Sequence, residues 1–490
     1  MPAEGINPPN QPDYSRKWWV MLSVAMGTFL GTIDGSIMNV ALPTLKKALD
    51  TDLAMVQWAI ISYTLIVTSL ILGVGRLADM IGKKRIYLTG MAVFVCGSIL
   101  CGLAPNISFL IGFRVLQGIG AVMIQALGMA IVTEAFPRSE RGRALGLMGT
   151  VVSLGISLGP TAGGVLIGTV GWRAIFLVNI PVGAAGLLLG RRFIPDWRPP
   201  GGQRFDAVGA VIMLLSLVAL ALGLTFGPEN NWNSLSIALL IGAGIGLLIF
   251  ALVEKRLPHP MIDLNMFRDP LFSISLLAAL LVFVVNAGML LLPFYLETVR
   301  GLSTELTGLA LTVVPAALGL MAPIAGVLSD RYGSRGISLA GLVVVIGGCL
   351  SISTLQANTS TLGYIIRLLP FGLGIGLFQS PNNSAIMGTA SRERLGVVSG
   401  LLALSRNMGN VVGVPLMTAI FSSRVFAVAN LSRSADVTKA PHAALVDGLQ
   451  TSFHIAAGVI ALGTVFALVA FTLERRRIRH PEAVENKAPA

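Results

Sequence analysis

The stretch GVGRLADMIGKKR at 73–85 ends a glycine-containing apolar run in one acid and a cluster of bases. GVLSDRYGSRG at 326–336 repeats that layout, with Asp79 and Asp330 standing 251 residues apart. Working outward from this pair, further matches follow in the same order. Arg114 matches Arg367 at 253, and Gln125 with Gln379, Gly142 with Gly396 and Gly146 with Gly400 all match at 254. GISLGP from Gly155 matches GNVVGVP from Gly409, again at 254. Ordered matches at near-constant spacing mark an internal duplication.

The surroundings of these motifs are apolar. Of 490 residues, 54% are hydrophobic and 12% charged, with a mean hydropathy of +0.79; soluble chains carry about 25% charge. Apolar runs long enough to cross a bilayer recur throughout. They predict fourteen spans, at 18–40, 56–77, 84–104, 108–133, 142–168, 173–190, 207–226, 235–254, 271–296, 305–328, 336–354, 362–388, 396–421 and 450–473. The duplication divides them into an N-terminal six-helix half (18–193), a linker with two inserted helices (194–270) and a C-terminal six-helix half (271–474), between tails at 1–17 and 475–490. The fold class is therefore an all-α integral membrane protein of two pseudo-symmetric halves. Two such halves can rock about a site near the midplane, exposing it to one side and then the other.

The formal charge of +12 is explained by topology. Bases gather in alternate loops, in GKKR, SERGR, GRR, EKR, RYGSR, SRER and ERRRIR, which the positive-inside rule assigns to the cytoplasm together with both termini. Nucleic acid is not an expected partner; the bilayer is. The segment 1–15 is polar and proline-rich, so a cleavable signal peptide is not expected. Cys96, Cys101 and Cys349 fall within spans and make no disulfide framework. The four histidines are scattered without metal-ligand spacing, and there is no P-loop lysine. No cofactor and no enzymatic chemistry are expected, and ATP is not expected as an energy source.

At this point a resemblance enters. GRLADMIGKKR (75–85) resembles the cytoplasmic loop signature of the major facilitator superfamily, GFRVLQGIGA (112–121) its fourth-span motif, and GISLGPTAGG (155–164) the fifth-span motif of its antiporters. IDGSIMNVALP (33–43) and GWRAIFLVNIPVG (171–183) are similar to the fourteen-span drug:proton antiporter branch, the EmrB/QacA-like exporters. The resemblance implies the major facilitator fold and export of amphipathic small molecules in exchange for protons, in the plasma membrane and as a monomer. It also implies that the repeated turn is a latch, formed by Gly75, Arg76, Asp79, Gly82, Lys83, Asp330 and Arg331, that holds the two halves in one conformation. Asp79 can accept hydrogen bonds from a helix N-terminus of the other half, where the dipole favours an anion. Ser334 stands where the first copy has Lys83, so the second latch is expected to be the looser.

Asp34 lies about nine residues below Pro43, ~13 Å into the membrane at ~1.5 Å per residue. A charge there costs roughly 2.5–3.5 kcal/mol on the insertion scale, so an idle aspartate is not expected. Arg114 shares its depth. A dry site favours a neutral carboxyl and a nearby guanidinium a charged one, so helix movement between them would bind or expel a proton. Asp34, Arg114 and Gln117 are the expected proton-coupling group, with a static buried ion pair as the alternative. Gly155, Gly159 and Gly163 share one helix face beside Pro160, which bends the helix. They are expected to form a conformational seam against the opposite half. Glu134 and Glu297, at the membrane edges, read as solvated ends. Candidates for a substrate cavity are Asn39, Trp58, Tyr63, Gln125, Asn286, Gln379, Asn382, Asn383, Arg406 and Asn407. With Asn286 at the repeat position of Asp34, the second half lacks the matching acid. Arg406 near the midplane is expected to favour neutral, zwitterionic or anionic amphiphiles over dications, with monocations tolerated through Asp34; the alternative is that it bonds backbone carbonyls at a helix break. Other readings are a proton-coupled solute importer and, from another class, a membrane-embedded lipid-processing enzyme or a receptor.

Overall fold

In hydrocarbon every backbone N–H and C=O must be satisfied within its own segment, which leaves helices as the means of crossing for such runs. The computed structural model describes residues 14–51, 53–196, 206–229, 233–257, 262, 264–430 and 440–479, apart from some side chains within them. Fourteen helices among the described residues are long and apolar enough to span a membrane. They are α1 (Lys17–Ala48), α2 (Leu53–Ile81), α3 (Lys83–Gly102), α4 (Ile107–Ala135), α5 (Arg141–Thr169), α6 (Ala174–Phe193), α7 (Ala207–Glu229), α8 (Ser234–Glu254), α9 (Pro270–Val299), α10 (Leu306–Tyr332), α11 (Ser334–Ile352), α12 (Thr361–Gly388), α13 (Leu395–Ala429) and α14 (His442–Arg479). Side-chain caps start several of them: Asn106 Oδ1 accepts from Phe109 N–H, and Ser360 Oγ from Gly363 N–H. Gly82 (φ 114°) and Gly333 (φ 91°) turn the chain between α2 and α3 and between α10 and α11, a conformation other residues resist. That is one reason for the repeated turn.

Eight helices close a ring in the order α1, α5, α10, α12, α9, α13, α2, α4, each packed on the next. Helices α3 and α6 back the first half, and α11 and α14 the second. The inserted pair α7 and α8 pack on each other, with α7 against α2 and α13. Even helix number places both termini on one face. Near that face one apolar cluster joins the halves, from Val20 and Phe136 to Phe272, Ile386 and Val398. Toward the opposite face the core divides, one cluster holding Ile37 and Phe176 of the first half and the other Leu291, Phe421 and Phe453 of the second. The molecule is welded at the terminus-bearing end and parted at the other.

Several elements depart from the sequence reading. The stretch 422–449, between the last two spans read from the sequence, largely continues α13 and α14, although 431–439 lie outside the described residues. An Arg424 Nε–Asp447 Oδ2 contact of 2.5 Å ties the two extensions together. Helix α6 is broken at Val178, and α9 passes through a 3-10 segment (Ala287–Leu290) and ends in a π turn (Tyr295–Val299). Pro293 removes a backbone donor within that irregular stretch.

Candidate functional site: a buried charge network and two equivalent latches

Four helices of the first half bring their few polar side chains to one point. Asp34 on α1 is 2% exposed, and its Oδ2 accepts from Arg114 Nη1 of α4 at 2.6 Å. Gln117, one turn further along α4, donates to Asp34 Oδ1 at 2.9 Å while its Oε1 accepts from Arg114 Nη1 at 2.6 Å. Arg114 Nε donates to the Ala59 carbonyl of α2 at 3.0 Å, and its guanidinium sits 4.2 Å from the centre of the Tyr63 ring. The structure thus brings together the three residues expected to couple protons. It places them inside the first half rather than on an open cavity wall.

Two members were missed. Asn179 Nδ2 donates to Asp34 Oδ1 and to Ser98 Oγ, both at 3.3 Å, and Ser98 also accepts from Gln117 Nε2 at 2.8 Å. Asn179 opens the second segment of α6, just past the break at Val178, so the break aims it inward. Its signal was present, as a lone amide in the apolar run VNIPVG. Ser98 gives no such signal, since serine is common in membrane helices.

The repeated turns make pseudo-equivalent contacts between the halves. Asp79 Oδ1 and Oδ2 accept from Gly396 and Val397 N–H at the start of α13, both at 2.9 Å. Asp330 accepts in the same way from Gly142 and Arg143 N–H at the start of α5, at 2.7 and 2.8 Å. Each carboxylate thus seats on the positive end of a helix from the other half. The glycines make room: a Cβ on Gly396 would lie 2.6 Å from Asp79 Oδ1, one on Gly142 2.5 Å from Asp330 Oδ1, and one on Gly75 2.7 Å from the Gly396 carbonyl. Lys83 Nζ stands 3.2 Å from Asp79 Oδ1 and 3.1 Å from Glu134 Oε1. Glu134 is therefore part of the first latch, not a solvated end. Ser334 takes a hydrogen bond from Ser329 instead. The second latch is no longer in its backbone bonds; it differs by the missing ammonium. Arg76 is half-buried, and Arg331 leans over the Tyr332 ring at 5.3 Å; neither donates to a latch carboxylate.

The expected glycine seam faces elsewhere. Gly155, Gly159 and Gly163 pack on Thr32, Ser36 and Ile37 of α1, in their own half. Ser36 Oγ donates to the Gly155 carbonyl at 3.0 Å. Contact of α5 with the opposite half is made lower down, where Gly142 and Gly146 meet Gly326 and Ala322 of α10. Thr150 Oγ1 donates to the Gly319 carbonyl at 2.7 Å, and Ser153 Oγ to that of Pro315. Pro160 lies within α5, next to Gly159. Above Ser153 the same face of α5 carries exposed Thr161 and Gly164, and on α13 the face that meets α2 at Gly400 carries exposed Val414 and Thr418. Both inter-half contacts close at the terminus-bearing end and open toward the other.

Of the cavity candidates, two belong elsewhere. Trp58 packs on Phe226 of the inserted α7, with ring centres 5.5 Å apart, and Asn382 donates to the Ser275 carbonyl within the second half. Tyr63 covers Arg114, and Gln125 lies beside Gly31. Gln379 and Asn383 are buried on α12, while Asn286, Arg406 and Asn407 are half-buried. The side chain of Asn39 lies outside the described residues. Arg367, the repeat partner of Arg114, bonds Thr354 Oγ1 and the Gly363 carbonyl near the start of α12, so the second half has no copy of the network.

Comparison with known proteins agrees with this architecture. A family model described as Major Facilitator Superfamily matches residues 24–414. The chain is 34% identical over 457 residues to the riboflavin transporter RibZ of Clostridioides difficile, covering 92% of this chain and 97% of that one. It is 34% identical over 406 residues to the multidrug resistance protein Stp of Mycobacterium tuberculosis, covering 82% and 75%. Among solved structures, the human organic anion transporter MFSD10 superposes with a TM-score of 0.66 at 15% identity, covering 93% of this chain and all of that one; that likeness concerns the fold.

Proposed function

The chain belongs to the major facilitator superfamily, and from that premise we propose that it exports amphipathic small molecules in exchange for protons. The observation that carries this reading is Asp34, a carboxylate removed from water and held by three donors between helices that must move. The basic loops assign the terminus-bearing face to the cytoplasm. On that assignment the latched state is open to the outside of a plasma membrane. A proton arriving from outside neutralises Asp34, and Arg114 loses its ionic partner while keeping the Ala59 carbonyl and Gln117. The α1–α4 contact then loosens, both latches release, and the site faces the cytoplasm. Substrate entry and proton loss from Asp34 reset the cycle. A membrane potential of ~100 mV supplies ~2.3 kcal/mol per charge moved, a gradient of roughly 50-fold.

The multidrug resistance name of one relative supports export. Proton-coupled uptake is the second reading, favoured by the relative named a riboflavin transporter. The test is dye accumulation in everted membrane vesicles carrying an acid-inside gradient, with a panel of cationic, neutral and anionic dyes. Wild type should accumulate at least one dye until a protonophore is added. Asp34→Asn, present at the same level, should accumulate none. Equal, protonophore-sensitive accumulation by the variant would remove Asp34 from the coupling step.

A further inference from the structure

Helix α13 presents four different flanks. Gly396 and Gly400 sit on α2, against the Gly75 and Ile71 carbonyls, while Gly409 and Gly413 sit on α9, against Leu280 and Val284. At 100° per residue these two faces are opposed. One remaining flank, with Leu401, Met408, Val412 and Pro415, is apolar, and Leu401 and Met408 join the cluster of Met213 and Leu217 on the inserted α7. The other flank carries Ser399, Arg406 and Asn410, and a stripe of that polarity at mid-membrane faces the protein interior rather than lipid. Arg406 lies about ten residues from the latch seat at Gly396, ~15 Å along the helix and near the midplane.

Arg406 has no acid of its own. Its Nε is enclosed without a hydrogen-bond partner, as is Ser399 Oγ, while the residue as a whole keeps partial exposure. Four acids of the described helices are otherwise engaged: Asp34 by Arg114, Asp79 and Asp330 by helix N-termini, Glu134 by Lys83. At the repeat position of Asp34 stands Asn286, which carries no charge. With Asp34 paired to its own arginine, Arg406 stands among the described residues as a guanidinium near the midplane without an ionic partner.

We propose that Arg406, flanked by Ser399 and Asn410, binds the anionic group of the transported amphiphile. The planar fork of a guanidinium fits a carboxylate or a sulfonate by two parallel hydrogen bonds, and it repels dications. Asn410 is exposed on the same flank and supplies a further donor. The proposal rests on the transport reading, but its test is equilibrium binding and needs no gradient.

The probes are three fluorescent compounds of one ring size: anthracene-9-carboxylate, anthracene-9-carboxamide and 9-(aminomethyl)anthracene. Their binding to the purified full-length protein is titrated for wild type, Arg406→Gln and Arg406→Lys. Wild type should bind the carboxylate about tenfold tighter than the amide, the size of one charge-assisted hydrogen bond, and the ammonium compound weakest. Arg406→Gln should erase the carboxylate preference and leave the amide within about twofold. Arg406→Lys should keep part of it, and stands in if the glutamine variant does not fold. Equal weakening of carboxylate and amide, or tighter binding of the ammonium compound by wild type, overturns the proposal. Loss of export with this binding pattern intact would count against the exchange reading alone.

Discussion

Asp34 is satisfied in a way that leaves little slack. Its two oxygens accept three hydrogen bonds from Arg114, Gln117 and Asn179, and Gln117 is shared between acid and base. Removing the shared amide leaves a buried carboxylate and a buried guanidinium each short of a partner. Gln117→Leu should therefore cost about 1–3 kcal/mol of stability and flatten the pH dependence of transport. Asn179→Ala, which removes two contacts of 3.3 Å, should cost less and shift the profile without flattening it. Thermal unfolding and transport rates from pH 6 to 8 measure both, and equal effects would deny Gln117 its linking role. Asp34, Arg114 and Gln117 were legible in sequence because each is polar within an apolar run. The convergence of Asn179 and Ser98 was not, since it is a property of how α3 and α6 cross behind α1.

At the scale of helices, the two latches share backbone geometry and differ in charge. Asp79 is fully buried beside an ammonium, and Asp330 is partly exposed with a serine in place of that lysine. Losing the carboxylate charge should thus release the first latch further than the second. With cysteine at Ser380, whose hydroxyl now bonds the Gly142 carbonyl in the closed seam, a soluble maleimide should label Asp79→Asn faster than Asp330→Asn. Both should exceed the parent with both latches intact, all in a background lacking the native cysteines. Equal rates in all three would mean the turns do not hold the seam. The sequence showed that these turns repeat, because 251-residue spacing needs no structure to read. It misdirected the fifth-span glycines, which three matching contacts place on α1. Periodicity reveals that a helix has a small-residue face, but it does not say which neighbour takes it. Helix ends were likewise out of reach: α13 and α14 run on past their apolar spans, because nothing in hydropathy stops a helix that continues into water.

The whole molecule is a duplication whose halves have parted in their polar residues. The first half holds the acid–base network, and the second carries Asn286 and Arg367 at the corresponding positions, with Arg406 unpaired at mid-membrane. On the proposed reading, proton and substrate belong to different halves, joined through the latches and the α2–α13 and α5–α10 contacts. Exchange and uptake then differ in one sign, and the most direct measurement reads it. Purified protein is reconstituted into vesicles that enclose a pH-sensitive dye, at equal pH on both sides and with the potential clamped. A compound accumulated in everted vesicles is then added outside. Antiport predicts that the lumen turns alkaline as substrate enters and protons leave, with no change for Asp34→Asn. Acidification of the lumen, or substrate entry with no proton movement at all, would contradict the account.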